Sequence, residues 1–412
     1  MSSDVSGSVS GLAVAASNPA SEQGAYWLAL ALTQGLGPSR IKKLIEHFGT
    51  AERVFQASLT ELEGMGMRAV SAQSLATGKS LELAQQECMK AVEAGARIIA
   101  LADPEYPARL KEIYDPPVIL FVKGCVEVLG RPGIAMVGTR HPTPYGSGMA
   151  ERLSTDLAAR GLVIISGLAR GIDTASHRGA VAAKGKTVAV LGTGIDVMYP
   201  KENTRLTEQI VALGGALITE FPVGTSPAPQ NFPIRNRIIS GMAVGVLVVE
   251  AAEYSGTRIT SRLALEQNRD VYAVPGNVTN KNSWGPNTLI KQGAKLTATW
   301  EDIWEDLPSQ IRVQLEDEME AQAGRNESKG GGSASLFNGP SGFNEPSTVA
   351  PMSEHERLVI QELRRDETLQ LDELIERLEL KMVSGEIFTA LFELELSGRV
   401  KQMPGKNYVR CF

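Results

Sequence analysis

Residues 134–140 read IAMVGTR, 162–173 LVIISGLARGID, 187–196 TVAVLGTGID, 216–224 ALITEFPVG, 244–260 VGVLVVEAAEYSGTRIT and 271–276 VYAVPG. Each is a short apolar run that ends in a glycine-containing loop, and most of these loops lead into a helical pattern. Unbroken apolar runs mark strands covered on both faces. Their alternation with helices predicts a doubly wound, mostly parallel α/β sheet. Ligands of such sheets bind outside the carboxyl ends of the strands, where this chain keeps its glycines and many of its arginines.

The rest of the chain sets limits around that core. Its 412 residues are enough for two to four domains. No apolar run reaches membrane-spanning length, and residues 1–20 lack a signal-peptide pattern and read as a disordered tail. Cys88, Cys125 and Cys411 are odd in number and far apart, which argues against a disulfide framework or a zinc site. The expectation is a reduced, cytoplasmic, metal-free protein. The net charge of −6 is unevenly spread: residues 134–300 hold 17 Lys and Arg against 11 Asp and Glu, whereas 301–330 hold 3 against 9. A basic core beside an acidic segment suits an anionic ligand for the core.

Residues 21–100 read as a helical domain with two helix–glycine–helix units, broken at Gly35-Leu36-Gly37-Pro38 and at Gly64-Met65-Gly66. They are similar to helix-hairpin-helix modules, although any tight turn between helices also favours glycine. Residues 103–133 are punctuated by proline and carry one strand-like run, 118–122, read as an arm between that module and the sheet. The core domain is expected over 103–304 and a flexible linker over 305–350. Over 351–412, a capping box at Ser353 and Glu356, two further helical patterns and a terminal hairpin predict a winged helix. Its third helix carries Glu386, Glu393 and Glu395 and no basic residue, a poor match to the major groove.

Chemistry concentrates in the core loops. Gly138, Thr139 and Arg140 end the first run, and Ser166, Gly167, Ala169 and Gly171 end the second. Glycines permit close backbone approach, and a following helix start attracts anions. Asp173 reads as a helix N-cap and His177 as a packed helix histidine. Phe232, Arg235, Asn236 and Arg237 bring a ring, an amide and two guanidinium groups within six residues, which suits phosphates and stacked bases. The alternative is that Arg235 and Arg237 pair with Glu220 and Glu250 inside the fold. Ser255 and Gly256 form another turn at a helix start. The first strand–helix turn lacks G-x-G-x-x-G, and no P-loop is present, so neither a dinucleotide nor a redox cofactor is indicated.

In combination, GTR (138–140), SGLARGID (166–173), FPIRNRII (232–239), SGTRIT (255–260), AVPG (273–276), YP (106–107) and DPP (115–117) resemble the DNA-processing protein A family, DprA or Smf. Thr139 stands where the family usually has Ser, and Ser176 where it has Ala. The resemblance implies an extended Rossmann-like domain between a helix-hairpin-helix or SAM-like domain and a winged helix. It further implies a non-catalytic, homodimeric binder of single-stranded DNA that loads the RecA recombinase during natural transformation. By motif, Arg140, Ser166, Gly167, Gly171, Phe232, Arg235 and Arg237 would line the strand pocket, with the inward-pointing arginine left open. The alternative is a nucleotide phosphoribohydrolase, for which SGTRIT and Glu266 are a partial echo.

Overall fold

The computed structural model describes residues 20–252, 256–329, 352–364, 367–378, 381–397, 399–403 and 405–410. Its centre is a nine-stranded sheet: β1 (Arg97–Ala100), β2 (Ile119–Gly124), β3 (Gly133–Val137), β4 (Val163–Ser166), β5 (Thr187–Val190), β6 (Ala216–Thr219), β7 (Gly245–Val248), β8 (Asp270–Ala273) and β9 (Lys295–Leu296). The spatial order is β1-β2-β6-β5-β4-β3-β7-β8-β9. From β3 to β9 every pairing is parallel, with Ile134 opposite Ile164 on one side and Gly245 on the other. The chain winds outward from β3 through β6, then returns to the other side of β3. The switch point therefore lies at the carboxyl ends of β3 and β7.

Strand β3 shows why the apolar runs are unbroken. Ala135 and Val137 pack with Ile238, Ile239 and Met242 on one face. Ile134 and Met136 pack with Met149, Leu153 and Leu157 on the other. Successive side chains point to opposite faces, and both faces are covered, so no position admits a polar residue. Each such aliphatic side chain contributes about 1.5–3 kcal/mol on burial.

The arm is part of the sheet. Strand β2 pairs antiparallel with β6, and β1, four residues that end the helical region, pairs antiparallel with β2. The helices Glu22–Leu32, Pro38–Phe48 and Lys79–Glu93 share one core with this flank, in which Leu28, Ile41 and Leu62 cluster with Ile98, Phe121 and Leu217. Both glycine breaks are turns between helices, Glu22–Leu32 to Pro38–Phe48 and Leu59–Gly64 to Ala69–Ala76.

The acidic segment after residue 304 differs from the flexible linker expected there. Ser309–Lys329 is a helix, and Leu307, Ile311 and Leu315 are buried in the core beside Leu153 and Leu157. Glu318 pairs with Arg131. Ile311 and Leu315, four residues apart, share one face of this helix, Leu307 packs from the turn just before it, and the acidic residues solvate the other faces.

Beyond residue 351, helices Glu354–Glu362, Leu371–Leu378 and Ser384–Leu396 enclose a separate core with Leu374, Leu391 and Tyr408. Strands β10 (Leu369–Gln370), β11 (Val400–Met403) and β12 (Asn407–Arg410) complete the winged helix in the order β10-β12-β11. The capping box forms as expected: Ser353 Oγ accepts from Glu356 N, and the Glu356 carboxylate accepts from Ser353 N. Among the described residues, no helix is long and apolar enough to cross a membrane.

Candidate nucleic-acid interface

A cleft of about 700 Å³ opens at the switch point. Two turns and two helices build most of it: the turn after β3, the turn after β4, the start of the helix Thr257–Glu266, and the helix Asn231–Met242 with the prolines before it. Of the residues singled out from the sequence, Gly138, Thr139, Arg140, Ala169, Phe232, Arg235, Asn236 and Gly256 line it.

The accessible chemistry is a cation on a ring. The Arg140 guanidinium carbon stands 5.4 Å from the centre of the Phe232 ring, and Tyr199 lies 5.7 Å from that ring on the cleft wall. Arg140 is exposed, Phe232 is half-buried and Tyr199 is exposed. Two rings and a guanidinium offer flat faces to a base and a charge to a phosphate. Phe232 leans on Gly192, where an added Cβ would come within 2.8 Å of the ring.

The loop that presents Arg140 is braced from below. Buried Glu250 accepts from Thr143 N at 2.8 Å and from Thr143 Oγ1 at 2.5 Å, and its carbonyl accepts from Thr139 N at 2.7 Å. Thr143 is also the N-cap of the helix Pro144–Ala159, accepting from Gly146 N. Glu250 thus partners a threonine, and the alternative pairing of this residue with an arginine is not formed.

Arg235 is the floor of the cleft. It is 4 % exposed and lines the cleft from beneath, with Nη1 donating to Gly167 O at 2.7 Å and to Val190 O. The first carbonyl follows the end of β4 and the second ends β5, so one guanidinium ties two strand ends to the helix Asn231–Met242. Burial lowers its pKa to about 10, opposed by the nearby Asp173 carboxylate. Nε is buried without a hydrogen-bond partner.

The turn after β4 differs from the phosphate loop expected. The helix begins at Ile172 with Gly171 as its N-cap, and Asp173 sits inside the first turn. Its Oδ2 accepts from Gly167 N at 3.1 Å and Ala169 N at 3.3 Å, so the protein's own carboxylate fills the backbone cradle. Burial pushes the Asp173 pKa up, opposed by Arg235 and by those two amides. Ser166 is fully buried and donates to Met136 O at 2.6 Å, tying β4 to β3. Ser166 and Gly167 therefore stand behind the cleft, and Gly171 lies on a neighbouring groove.

Arg237 also points inward. It is 7 % exposed, forks onto Glu220 at 2.6 Å through both terminal nitrogens, and donates from Nε to Asp115 at 3.1 Å. Burial alone would lower its pKa, and the two carboxylates more than offset this. The internal pairing considered for Arg237 and Glu220 is the one found. Asp115 and Tyr106, from the DPP and YP motifs, serve the same scaffold, with the buried Tyr106 hydroxyl donating to Pro117 O at 2.7 Å. His177 is packed as expected, its Nδ1 2.7 Å from Thr187 Oγ1, and burial lowers its pKa to about 3. Ser255 lies outside the described residues.

Tyr199 was not among the residues expected. The signal for it was an aromatic residue in the loop after the third glycine-rich turn, GTGIDVMYP, outside any helical or strand period.

Fold and cleft together define an extended Rossmann-like protein with a winged helix at its carboxyl end. The family model described as DNA recombination-mediator protein A matches residues 97–308, and the model of the DprA winged helix domain matches 344–406. Protein Smf of Synechocystis is 34 % identical over 95 % of this chain and 100 % of its own length. DNA processing protein DprA of Bacillus subtilis is 45 % identical over 52 % of this chain and 73 % of its own. The X-ray structure of DprA from Streptococcus pneumoniae superposes with a TM-score of 0.59 at 35 % identity, covering 69 % of this chain and 98 % of that one. The chain belongs to the DprA/Smf family.

Proposed function

We propose that this chain binds single-stranded DNA in the cleft and acts, without catalysis, as a mediator that delivers the strand to the RecA recombinase. The observation that carries the reading is the exposed Arg140–Phe232–Tyr199 group at the switch point. Two tilted rings beside a guanidinium suit an unpaired strand, because every base has a flat face and every nucleotide a phosphate. The mouth of the site consists of Gly138, Thr139, Arg140, Ala169, Phe232, Asn236 and Gly256, with Tyr199 added and Arg235 as the floor. Family membership supports the rest of the proposal: cytoplasmic location, a homodimer, and a role in processing DNA taken up by the cell.

The hydrolase alternative is less favoured. Among the described residues the carboxylate that lines the cleft is Asp173, and its Oδ2 is engaged by two backbone amides of its own loop. Glu266 is exposed and paired with Arg262 on the helix Thr257–Glu266.

Fluorescence anisotropy with labelled oligo-dT, against duplex of equal length over a salt series, tests the proposal. Preference for the single strand and a steep loss with salt are expected. Equal affinity for duplex, or no binding at low salt, would remove it. RecA filament growth on oligonucleotides coated with single-strand-binding protein then tests delivery, and sedimentation tests the dimer.

A further inference from the structure

The winged helix carries a second surface whose chemistry is unlike that of the cleft. Its third helix, Ser384–Leu396, turns Ile387, Ala390, Leu391 and Leu394 inward. Phe388 and Phe392, one turn apart, face out at 49 % and 62 % exposure, and Val383 at the helix start is 67 % exposed. Scattered exposed apolar residues are ordinary, but two phenylalanines aligned on one helical stripe form a continuous face.

The helix that carries that face is itself acidic, with Glu386, Glu393 and Glu395 and no basic residue. The three helices of the winged helix hold nine acidic residues against Arg357 and Arg377, and Arg377 is committed to Glu373 at 2.6 Å. On another face of the same helix, a groove of about 190 Å³ runs between the first and third helices, lined by Ser353, His355, Glu386, Thr389 and Glu393. At its edge the Glu393 carboxyl meets that of Glu356, and this hydrogen bond with a like group holds it above the usual carboxylate range. Two carboxyl groups set against each other at the rim of a groove are relieved by an incoming cation. A DNA backbone would meet acidic repulsion here.

We propose that this face docks a basic amphipathic segment of a partner protein. Apolar side chains of the segment cover Phe388 and Phe392, and a lysine or arginine enters the groove between Glu386 and Glu393. Apolar anchors supply the affinity, and the acidic rim selects the partner and its orientation. The proposal does not rest on strand binding in the cleft.

The test uses the full chain and a fluorescent synthetic helix with leucine on one face and lysine on the other. A leucine–glutamate helix and a short DNA duplex serve as comparison probes. The leucine–lysine helix is expected to bind, and Phe388→Ser with Phe392→Ser to weaken it about tenfold. Glu386→Gln with Glu393→Gln should weaken it too, whereas Glu316→Gln with Glu320→Gln on the connecting helix should not. Five of the six positions are exposed and Glu386 is half-buried, its carboxylate accepting from Val383 N at 3.1 Å, and unchanged circular dichroism and oligo-dT affinity would show that fold and cleft are intact. The proposal is overturned by failure of the leucine–lysine helix to bind, by equal losses in all three double variants, or by duplex binding that depends on the phenylalanines. Conversion of a dimer to a monomer by the phenylalanine pair would also overturn it, by assigning the face to a second copy.

Discussion

The turn after β3 and the helix Asn231–Met242 meet at the same cleft, and both bring arginines to it. On the turn, Arg140 is exposed, lies over the Phe232 ring, and depends for its position on a backbone braced by Glu250. On the helix, Arg235 and Arg237 are buried, and their hydrogen bonds go to strand-end carbonyls, Glu220 and Asp115. Residue type and spacing made the three arginines equivalent candidates for phosphate. Burial separates them into one that can reach a ligand and two that hold the wall of the site. A guanidinium has five donors on a rigid fork, which serves either purpose.

The largest effect should come from the wall. Arg235→Ala removes a buried cation and orphans two carbonyls, and should cost about 3–5 kcal/mol in urea unfolding. Arg140→Ala should stay within about 0.5 kcal/mol of the parent. Equal stability of the two variants would break the comparison. Arg237→Ala leaves Glu220 and Asp115 facing each other and should cost roughly 3 kcal/mol. Affinity should sharpen the contrast from the other side. Arg140→Ala or Phe232→Ala should lose about 1–3 kcal/mol of oligo-dT binding at constant fold, read by anisotropy.

A smaller effect is expected from pH. The His177 pKa is lowered in the fold from 6.5 to about 3, so below 6.5 the unfolded chain takes up a proton that the folded chain refuses. Stability present above that pH is lost as pH falls toward 3, by at most about 1.4 kcal/mol per unit. Urea midpoints at pH 7 and 5 measure the slope, and His177→Leu should flatten it. The smallest effect belongs to the carboxyl end. A chain ending at Lys329 should keep oligo-dT affinity within about twofold, a difference of roughly 0.4 kcal/mol. A cut at Trp304 is not equivalent, because it strips Leu307, Ile311 and Leu315 from the core.

The parallel strands were legible because a strand buried on both faces has no polar positions. Strand β1 was not, since four residues at the end of a helical region carry too little pattern, and their partner β2 looked like an arm. The aromatic and exposed basic parts of the site were also legible, as Phe232 and Arg140 stand in loops beside glycine. What stayed hidden depends on distant partners. Asp115 reaches Arg237 across 122 positions of sequence, and nothing local announces it. Asp173 has the look of an N-cap, but it is used one turn backward, on the amides of its own loop. The helix after residue 308 left only Ile311 and Leu315 as an i, i+4 pair, and its acidic composition outweighed that signal.

Gly167 gives the Arg235 floor a consequence for how this family can vary. A Cβ at residue 167 would come within 2.2 Å of the Arg235 guanidinium carbon and of both its terminal nitrogens. A methyl group there would have to displace the guanidinium, although it changes no charge. The two positions, 68 residues apart, are thus sterically coupled. A lineage that acquires a side chain at 167 must release the arginine at 235, and with it the tie between two strand ends and the helix that carries Phe232.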